Sequence, residues 1–198
     1  MKAALFRGIG QIEVAEVPRP EPGPGEVLIR VGYCGICGSD LEAYHVGMYE
    51  PGLVPGHEFA GTLAELGAGV AGWQVGDRVV IDNVVPCGGC PPCREGRPDA
   101  CECLATIGVT HDGALAEYCL APARALHRLP GGMTLRQGAL VEPLSFAAEC
   151  GEGAGIVLGT KNPVVLTSRA DSIRTRLASV AVMTQVALAR RSGKYETR

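Results

Sequence analysis

Within residues 37–58 the chain gathers a thiol (Cys37), a hydroxyl (Ser39), an imidazole (His57) and two carboxylates (Asp40 and Glu58). They lie in the runs Cys37-Gly38-Ser39-Asp40 and Gly56-His57-Glu58. Pro51, Gly52 and Pro55 turn the backbone between the two runs. Zinc takes Cys sulfur at about 2.3 Å and His nitrogen at about 2.0–2.1 Å, and a catalytic zinc keeps one position open for water or substrate. Cys37, His57 and one of the two acids could supply three ligands of that kind. Taken singly, each residue has a plainer reading: a buried thiol, a core histidine, or a Ser39 or Asp40 cap where a helix starts.

A second cluster changes the balance. Cys87, Cys90 and Cys93 follow one another at intervals of three, and Cys101 comes eight residues later. Gly88, Gly89, Pro91 and Pro92 turn the chain among them. Four thiols in one short loop are the ligand set of a closed structural zinc site. Such a site can contribute on the order of 10 kcal/mol to folding, and here it would hold a loop with almost no apolar core. Cys103 competes with Cys101 for the fourth place. A redox role for the C-x-x-C pairs, here and at Cys34 to Cys37, is the rival reading, but no thioredoxin-like βαβ pattern surrounds either pair.

Residues 1 to about 148 resemble the catalytic domain of the zinc-dependent medium-chain alcohol and polyol dehydrogenases. The resemblance is carried by Gly35-Ile36-Cys37-Gly38-Ser39-Asp40, Gly56-His57-Glu58, Val75-Gly76-Asp77-Arg78-Val79, the four-cysteine lobe, Gly113-Ala114-Leu115-Ala116-Glu117-Tyr118 and Glu142-Pro143-Leu144. It implies a GroES-like β-barrel with a zinc lobe, mainly β with short helices. It also implies two zinc ions per chain, one catalytic and one structural, and hydride transfer to NAD or NADP. The spacing of the family makes Cys101 rather than Cys103 the fourth thiol of the lobe. In the catalytic site, Cys37 and His57 become ligands and Glu58 a direct or near ligand. Ser39 passes the alcohol proton outward, Asp40 orients a ligand from behind, and Glu142 approaches the metal or its water. The implied substrate is a small alcohol or polyol, and the Glu142-Pro143-Leu144 motif leans toward the polyol, butanediol and threonine dehydrogenase branches.

These side chains need a β-rich frame. Lys2 to Phe6, Ile12 to Val17, Val27 to Val31 and Phe59 to Leu66 read as strands, with Gly8, Gly10 and the run Pro18 to Gly25 as breaks. Ser39 to Tyr44 suits a short helix capped by Ser39 or Asp40 and aimed at the metal. Gly67-Ala68-Gly69-Val70-Ala71-Gly72 matches the dinucleotide fingerprint letter for letter. It runs into Trp73, a Gly76-Asp77 turn and Val79-Val80-Ile81 instead of opening a helix, so it reads as a loop between strands. Ala114 to Leu120 and Ala125 to Leu129 read as further strands, and Thr134 as the cap of a helix ending near Ala148. Cys34 and Cys119 read as buried small side chains.

The 198 residues, 46% hydrophobic and 20% charged, suit one globular domain with a short extension. The division expected is 1–149 for the zinc domain and 150–198 for a linker and tail. The net charge of −3 splits unevenly: residues 1–154 carry −9 and residues 155–198 carry +6. Such a change suggests segments of different origin. Cys150-Gly151-Glu152-Gly153-Ala154-Gly155 reads as a linker. Beyond it the chain resembles the C-terminal end of phosphate acetyl- and butyryltransferases: two apolar segments, then Thr167-Ser168-Arg169-Ala170-Asp171-Ser172 and a helix with Ile173, Leu177, Val180 and Leu188 near one face. Ser168 and Arg169 at that helix start could bind an anion, although a helix cap beside a solvated arginine is the simpler account and the one preferred.

About fifty residues after Cys150 leave too little room for a complete Rossmann domain. A dehydrogenase truncated of its nicotinamide-binding domain is therefore the first expectation. The alternative is a non-catalytic zinc-binding fragment, or a fusion with an acyltransferase remnant. An odd total of nine cysteines in clusters argues for metal in a reducing compartment rather than disulfides. The N-terminus lacks a secretory apolar region and no stretch approaches a span of about 20 apolar residues. A cytoplasmic protein is expected, with no nucleic-acid or membrane partner and with homo-oligomer formation left open.

Overall fold

The computed structural model describes residues 1–150, 155–157 and 164–166. The chain divides into two compact units, Met1–Glu142 and Pro143–Arg198. β1 (Lys2–Gly8) and β2 (Gln11–Glu16) form a hairpin. β3 (Glu26–Cys34) leads into α1 (Gly38–Val46), and β4 (Phe59–Leu66) returns to pair with β3. β5 (Arg78–Ile81) and β6 (Val84–Val85) precede the thiol loop, which contains the short α2 (Pro91–Arg94). β7 (Ala105–Thr106) closes that loop against β6, and β8 (Tyr118–Pro122) and β9 (Leu126–Arg128) complete the strands. α3 (Leu135–Gly138) and α4 (Val141–Cys150) follow.

Five strands form one antiparallel sheet in the order β8-β3-β4-β5-β9. Successive side chains point to opposite faces. Val27, Ile29, Phe59, Leu63, Val79 and Ile81 therefore share the main core, while Ala60 and Val80 face a smaller cluster with Leu129 and Ala139. α3 covers that second face. A Cβ on Gly138 would lie 2.8 Å from the Ala60 Cβ, and one on Gly32 would lie 3.3 Å from the Leu135 Cβ, so bare backbone is what lets α3 sit so close.

The G-x-G-x-x-G run is the connection from β4 to β5, with Gly69 and Gly72 at positive φ and Gly67 N–H bonded to the Glu26 carbonyl at 2.8 Å. The element that follows it is the strand β5, not a helix. The loop is tied down from β9. Arg128 lies 4.6 Å over the Trp73 ring, donates to the Gly72 carbonyl at 2.8 Å, and pairs with Asp77 at 2.6 Å.

Some expectations change. The sheet is open among the described residues, so mainly β architecture stands but no closed barrel is seen. α1 starts at Gly38 with Cys37 as N-cap, so neither Ser39 nor Asp40 is the cap. Asp40 sits three residues in and reaches back to the Cys37 N–H. The strand expected from Ala114 forms only from Tyr118. Ala114 and Leu115 N–H bond instead to the Gly56 and Pro55 carbonyls at 2.8 and 2.9 Å, and the Leu115 carbonyl accepts from Ala4 at 2.8 Å. The single helix expected from Thr134 to Ala148 is two helices. Thr134 does cap the first, but Pro143 has no N–H to give the Ala139 carbonyl, and the chain reorients at Ala139 and Leu140.

In the second unit, β10 (Gly155–Val157) and β11 (Val164–Leu166) pair antiparallel. The interior of the expected linker, the tail helix and the Ser168-Arg169 pair lie outside the described residues.

The Asp77 carboxylate accepts from Gln74 N–H at 3.0 Å, and that bond first, with Arg128 second, holds its pKa below the usual 3.8. A depressed carboxylate stabilises the fold above its unfolded pKa and loses that contribution as pH falls through the folded value. Thermal unfolding followed from pH 6 downward should show Asp77→Asn matching the parent's acid sensitivity only above about pH 4, with a flatter decline below it. Identical acid limbs would remove this role.

Candidate metal centres

The register of β3 against β4 assembles the first centre. Cys34 lies opposite Phe59, and Gly35 N–H donates to the Glu58 carbonyl at 2.8 Å. Cys37 therefore leaves the sheet at the same end from which His57 and Glu58 enter it. The Cys37 sulfur, a His57 ring nitrogen and a Glu58 carboxylate oxygen all lie within 4.8 Å of one another. His57 is 6% exposed. A Cβ on Gly35 would overlap the Glu58 carboxylate, so Gly35 is what gives that side chain its room.

His57 rests on a junction of three glycines. Gly56 has φ +99°, and its carbonyl is packed against Gly108 and Gly113 so closely that neither could carry a side chain. The Asp112 carboxylate accepts from Val54 N–H at 2.9 Å and fixes the approach to this junction. A Cβ on Gly56 itself would lie 2.8 Å from the Leu115 backbone nitrogen and 2.9 Å from the Cys34 sulfur.

Behind Cys37 runs a buried polar chain. Asp40 Oδ2 accepts from Cys37 N–H at 2.9 Å, and Tyr49 donates its hydroxyl proton to Asp40 Oδ1 at 2.8 Å. Tyr49 packs edge-on against Phe6, with ring centroids 5.9 Å apart. Burial first, and the adjacent Asp40 charge as well, push the Tyr49 phenol above its ordinary value and keep it a donor. His57 Nδ1 is buried with no hydrogen-bond partner among the described residues, and Ser39 Oγ is buried near enough to Tyr49 to lower its pKa but in no well-aligned hydrogen bond. Buried polar atoms of this kind beside a Cys, His and Glu cluster mark a site with a component still to be bound.

Glu142, at the start of α4, lies within electrostatic reach of His57 and Glu58. Burial and then Glu58 push its carboxyl above the ordinary carboxylate value, while His57 and an Asn83 hydrogen bond pull it down. Cys34 stands beside the centre without joining the cluster. Burial, Asp40 and Glu58 push its thiol up to about 12. Cys119 is 2% exposed and is raised by burial as well.

The second centre lies in the loop between β6 and β7. The sulfurs of Cys87, Cys90, Cys93 and Cys101 fall within 4.8 Å of one another, and Cys103 falls outside the group. Backbone N–H groups point at the sulfurs: Cys87 to Cys101 at 3.2 Å, and Gly89 and Cys90 to Cys87 at 3.4 Å. The Gly89 and Cys90 amides draw the Cys87 thiol down to about 6, whereas burial and its thiol neighbours push Cys93 up to about 12. Four sulfurs so close cannot all ionise without a cation between them. The donor set fits zinc.

The chain is similar to named dehydrogenases. Residues 23–131 match the alcohol dehydrogenase GroES-like domain. The chain belongs to the zinc-type alcohol dehydrogenase family. It is 43% identical over 150 residues to 2-dehydro-3-deoxy-L-galactonate 5-dehydrogenase of Pseudoalteromonas atlantica, covering 74% of this chain and 44% of that one. It is 42% identical over 156 residues to L-threonine 3-dehydrogenase of Xanthomonas axonopodis pv. citri, covering 76% and 46%. The crystal structure of the alcohol dehydrogenase RspB of Escherichia coli CFT073, complexed with NADH, superposes with a TM-score of 0.70 at 38% identity, covering 77% of this chain and 46% of that one. The chain thus spans about half the length of these relatives. Among the described residues no helix is long and apolar enough to cross a membrane.

Two residues of the first centre carry no signal in the sequence. Tyr49 and Asn83 belong to no motif, and only the fold brings them to Asp40 and Glu142. Two substitutions test the construction. Gly56→Ala should cost roughly 2 kcal/mol or more, against about 1 kcal/mol for Gly69→Ala, which shares the positive φ but has open space around it. Equal losses in chemical denaturation would mean that the crowding at Gly56 is not real. Tyr49→Phe should cost about 1 kcal/mol and weaken metal retention about tenfold, and unchanged retention in a chelator competition would detach Asp40 from ligand positioning.

Proposed function

We propose that this chain is the zinc-bearing catalytic domain of an NAD- or NADP-dependent dehydrogenase that oxidises a hydroxyl group on a small polar alcohol. The observation that supports this most directly is the convergence of Cys37, His57 and Glu58 within 4.8 Å beside two buried polar atoms without an aligned hydrogen bond. In this reading Cys37, His57 and Glu58 hold one zinc ion, and Cys87, Cys90, Cys93 and Cys101 hold another. Zinc in the first centre supplies Lewis acidity, which lowers the pKa of a substrate hydroxyl toward neutrality.

The chain's own residues do the rest. Ser39, its hydroxyl in no well-aligned hydrogen bond, accepts the substrate's hydroxyl proton and passes it outward. Asp40, held by Tyr49, fixes the Cys37 backbone and so the sulfur's direction. Glu142, with a raised carboxyl pKa beside His57 and Glu58, is placed to enter or leave the open position. The names of the two enzyme relatives denote oxidation of a polyol acid and of a hydroxy amino acid, which supports a substrate bearing further polar groups. The nicotinamide would be held by a counterpart of the part of those relatives that lies outside the match. The Ser168-Arg169 anion site and the acyltransferase-like tail have no support from the described residues, and a fusion origin plays no part in this reading.

Metal analysis followed by NAD(H) titration on the same sample tests it. The parent should carry two zinc ions per chain, and Cys37→Ser should carry one, remain folded, and lose alcohol-dependent NADH formation in any assembly where the parent shows it. Cys93→Ser should lose the other zinc and much of the fold, given a structural contribution on the order of 10 kcal/mol. A purified parent without zinc would end this reading.

A further inference from the structure

The backbone that carries His57 is pressed by the two ends of a single turn, Gly108 and Gly113, and the two ends are held differently. Gly113 N–H donates to the Val54 carbonyl at 2.7 Å, and the next residue, Ala114, donates to the Gly56 carbonyl at 2.8 Å. That end is bonded to the His57 segment itself. Gly108, at φ +81°, touches the Gly56 backbone by contact, while its N–H donates to the His111 carbonyl at 2.7 Å inside the turn. Where Gly108 sits therefore depends on how the turn is closed.

The closure is polar. Ile107 enters the main core and Val109 packs beside Phe6, Ala43, Tyr49 and Leu53, but Thr110, His111 and Asp112 are exposed. The Thr106 carbonyl accepts from the N–H groups of Val109, Thr110 and His111 at 3.1, 2.9 and 3.2 Å. The Thr110 hydroxyl oxygen accepts from Thr106 N–H at 2.9 Å, and its own proton has two acceptors in reach, the Thr106 carbonyl at 3.3 Å and His111 Nδ1 at 3.0 Å. One side chain thus ties both backbone groups of Thr106 across the turn. Thr106 is fixed in its own right as the partner of Val84 in the β6–β7 hairpin, and Ile107 N–H donates to the Asn83 carbonyl at 2.9 Å.

We propose that Thr110 is a positioning residue for His57: its hydroxyl closes the turn that presses Gly108 against the Gly56 backbone, and so sets the direction from which the imidazole enters the first centre. A methyl group of the same shape neither accepts nor donates, so valine removes the closure and leaves Thr106 N–H without its acceptor, whereas serine keeps it. The effect falls on one ligand. Cys37 is placed by the start of α1 and Glu58 by the register of β3 against β4. The four thiols lie beyond the opposite end of the β6–β7 hairpin.

This assignment rests on the reading that Cys37, His57 and Glu58 hold zinc. The test is zinc release from the full chain in a chelator titration of the parent, Thr110→Val and Thr110→Ser, with Cys37→Ser marking which zinc belongs to the first centre. Thr110→Val should release that ion at roughly tenfold lower chelator concentration and keep the other at the parent's level, and Thr110→Ser should behave as the parent. First-centre zinc that leaves Thr110→Val at the parent's chelator concentration would overturn the proposal. So would equal weakening of both ions, which is what a general loosening of the fold gives, or a Thr110→Ser as weak as Thr110→Val. A parent whose zinc content is unchanged by Cys37→Ser would instead refute the metal reading, and the assignment with it.

Discussion

One antiparallel rung, Cys34 opposite Phe59, sets the chemistry of this chain. It brings together residues twenty positions apart in sequence: Cys37 three steps past one end of the rung, His57 and Glu58 just before the other. A slip of one residue would reverse every side chain in β4 and send Phe59 and Leu63 out of the main core. The apolar burial that fixes the register is therefore the same interaction that fixes the ligands. Around it, backbone takes the place of side chains. Gly35 makes room for Glu58, and Gly56, Gly108 and Gly113 meet where any Cβ would collide.

The two centres are stabilised in opposite ways. The first is embedded in a folded frame. Its ligands come from a helix N-terminus and a strand entrance, and a Tyr49-Asp40-Cys37 chain braces it from the core. The second has little apolar support, since β6 and β7 are two residues each and the loop they close is mostly exposed. Backbone amides aimed at sulfur, and the zinc proposed for it, must hold it. Loss of metal should accordingly empty the first centre with the frame intact, but dissolve the structure of the second.

The chemistry was more legible in the sequence than the frame. The thiol spacing and the two short motifs pointed to both of the clusters that the fold brings together, because metal ligation requires particular side chains at short separations. The strand cores and the loop nature of Gly67 to Gly72 were legible too, because a glycine-rich turn followed by β-branched residues cannot open a helix. Local reading failed where backbone partners are remote. Ala114 to Ala116 has strand character but bonds to Pro55, Gly56 and Ala4, so it stands apart from β8. The break between α3 and α4 turns on one missing N–H at Pro143, hidden within an otherwise helical run. Tyr49 and Asn83 could not be found at all, since nothing in their own neighbourhoods mentions Asp40 or Glu142.

X-ray absorption at the zinc edge of the full chain tests the central claim, that two unlike zinc centres share one chain. It should show a mixed shell averaging about 2.5 sulfur ligands per zinc near 2.3 Å, with nitrogen and oxygen near 2.0–2.1 Å. A shell of sulfur alone, or one with no sulfur, would contradict it.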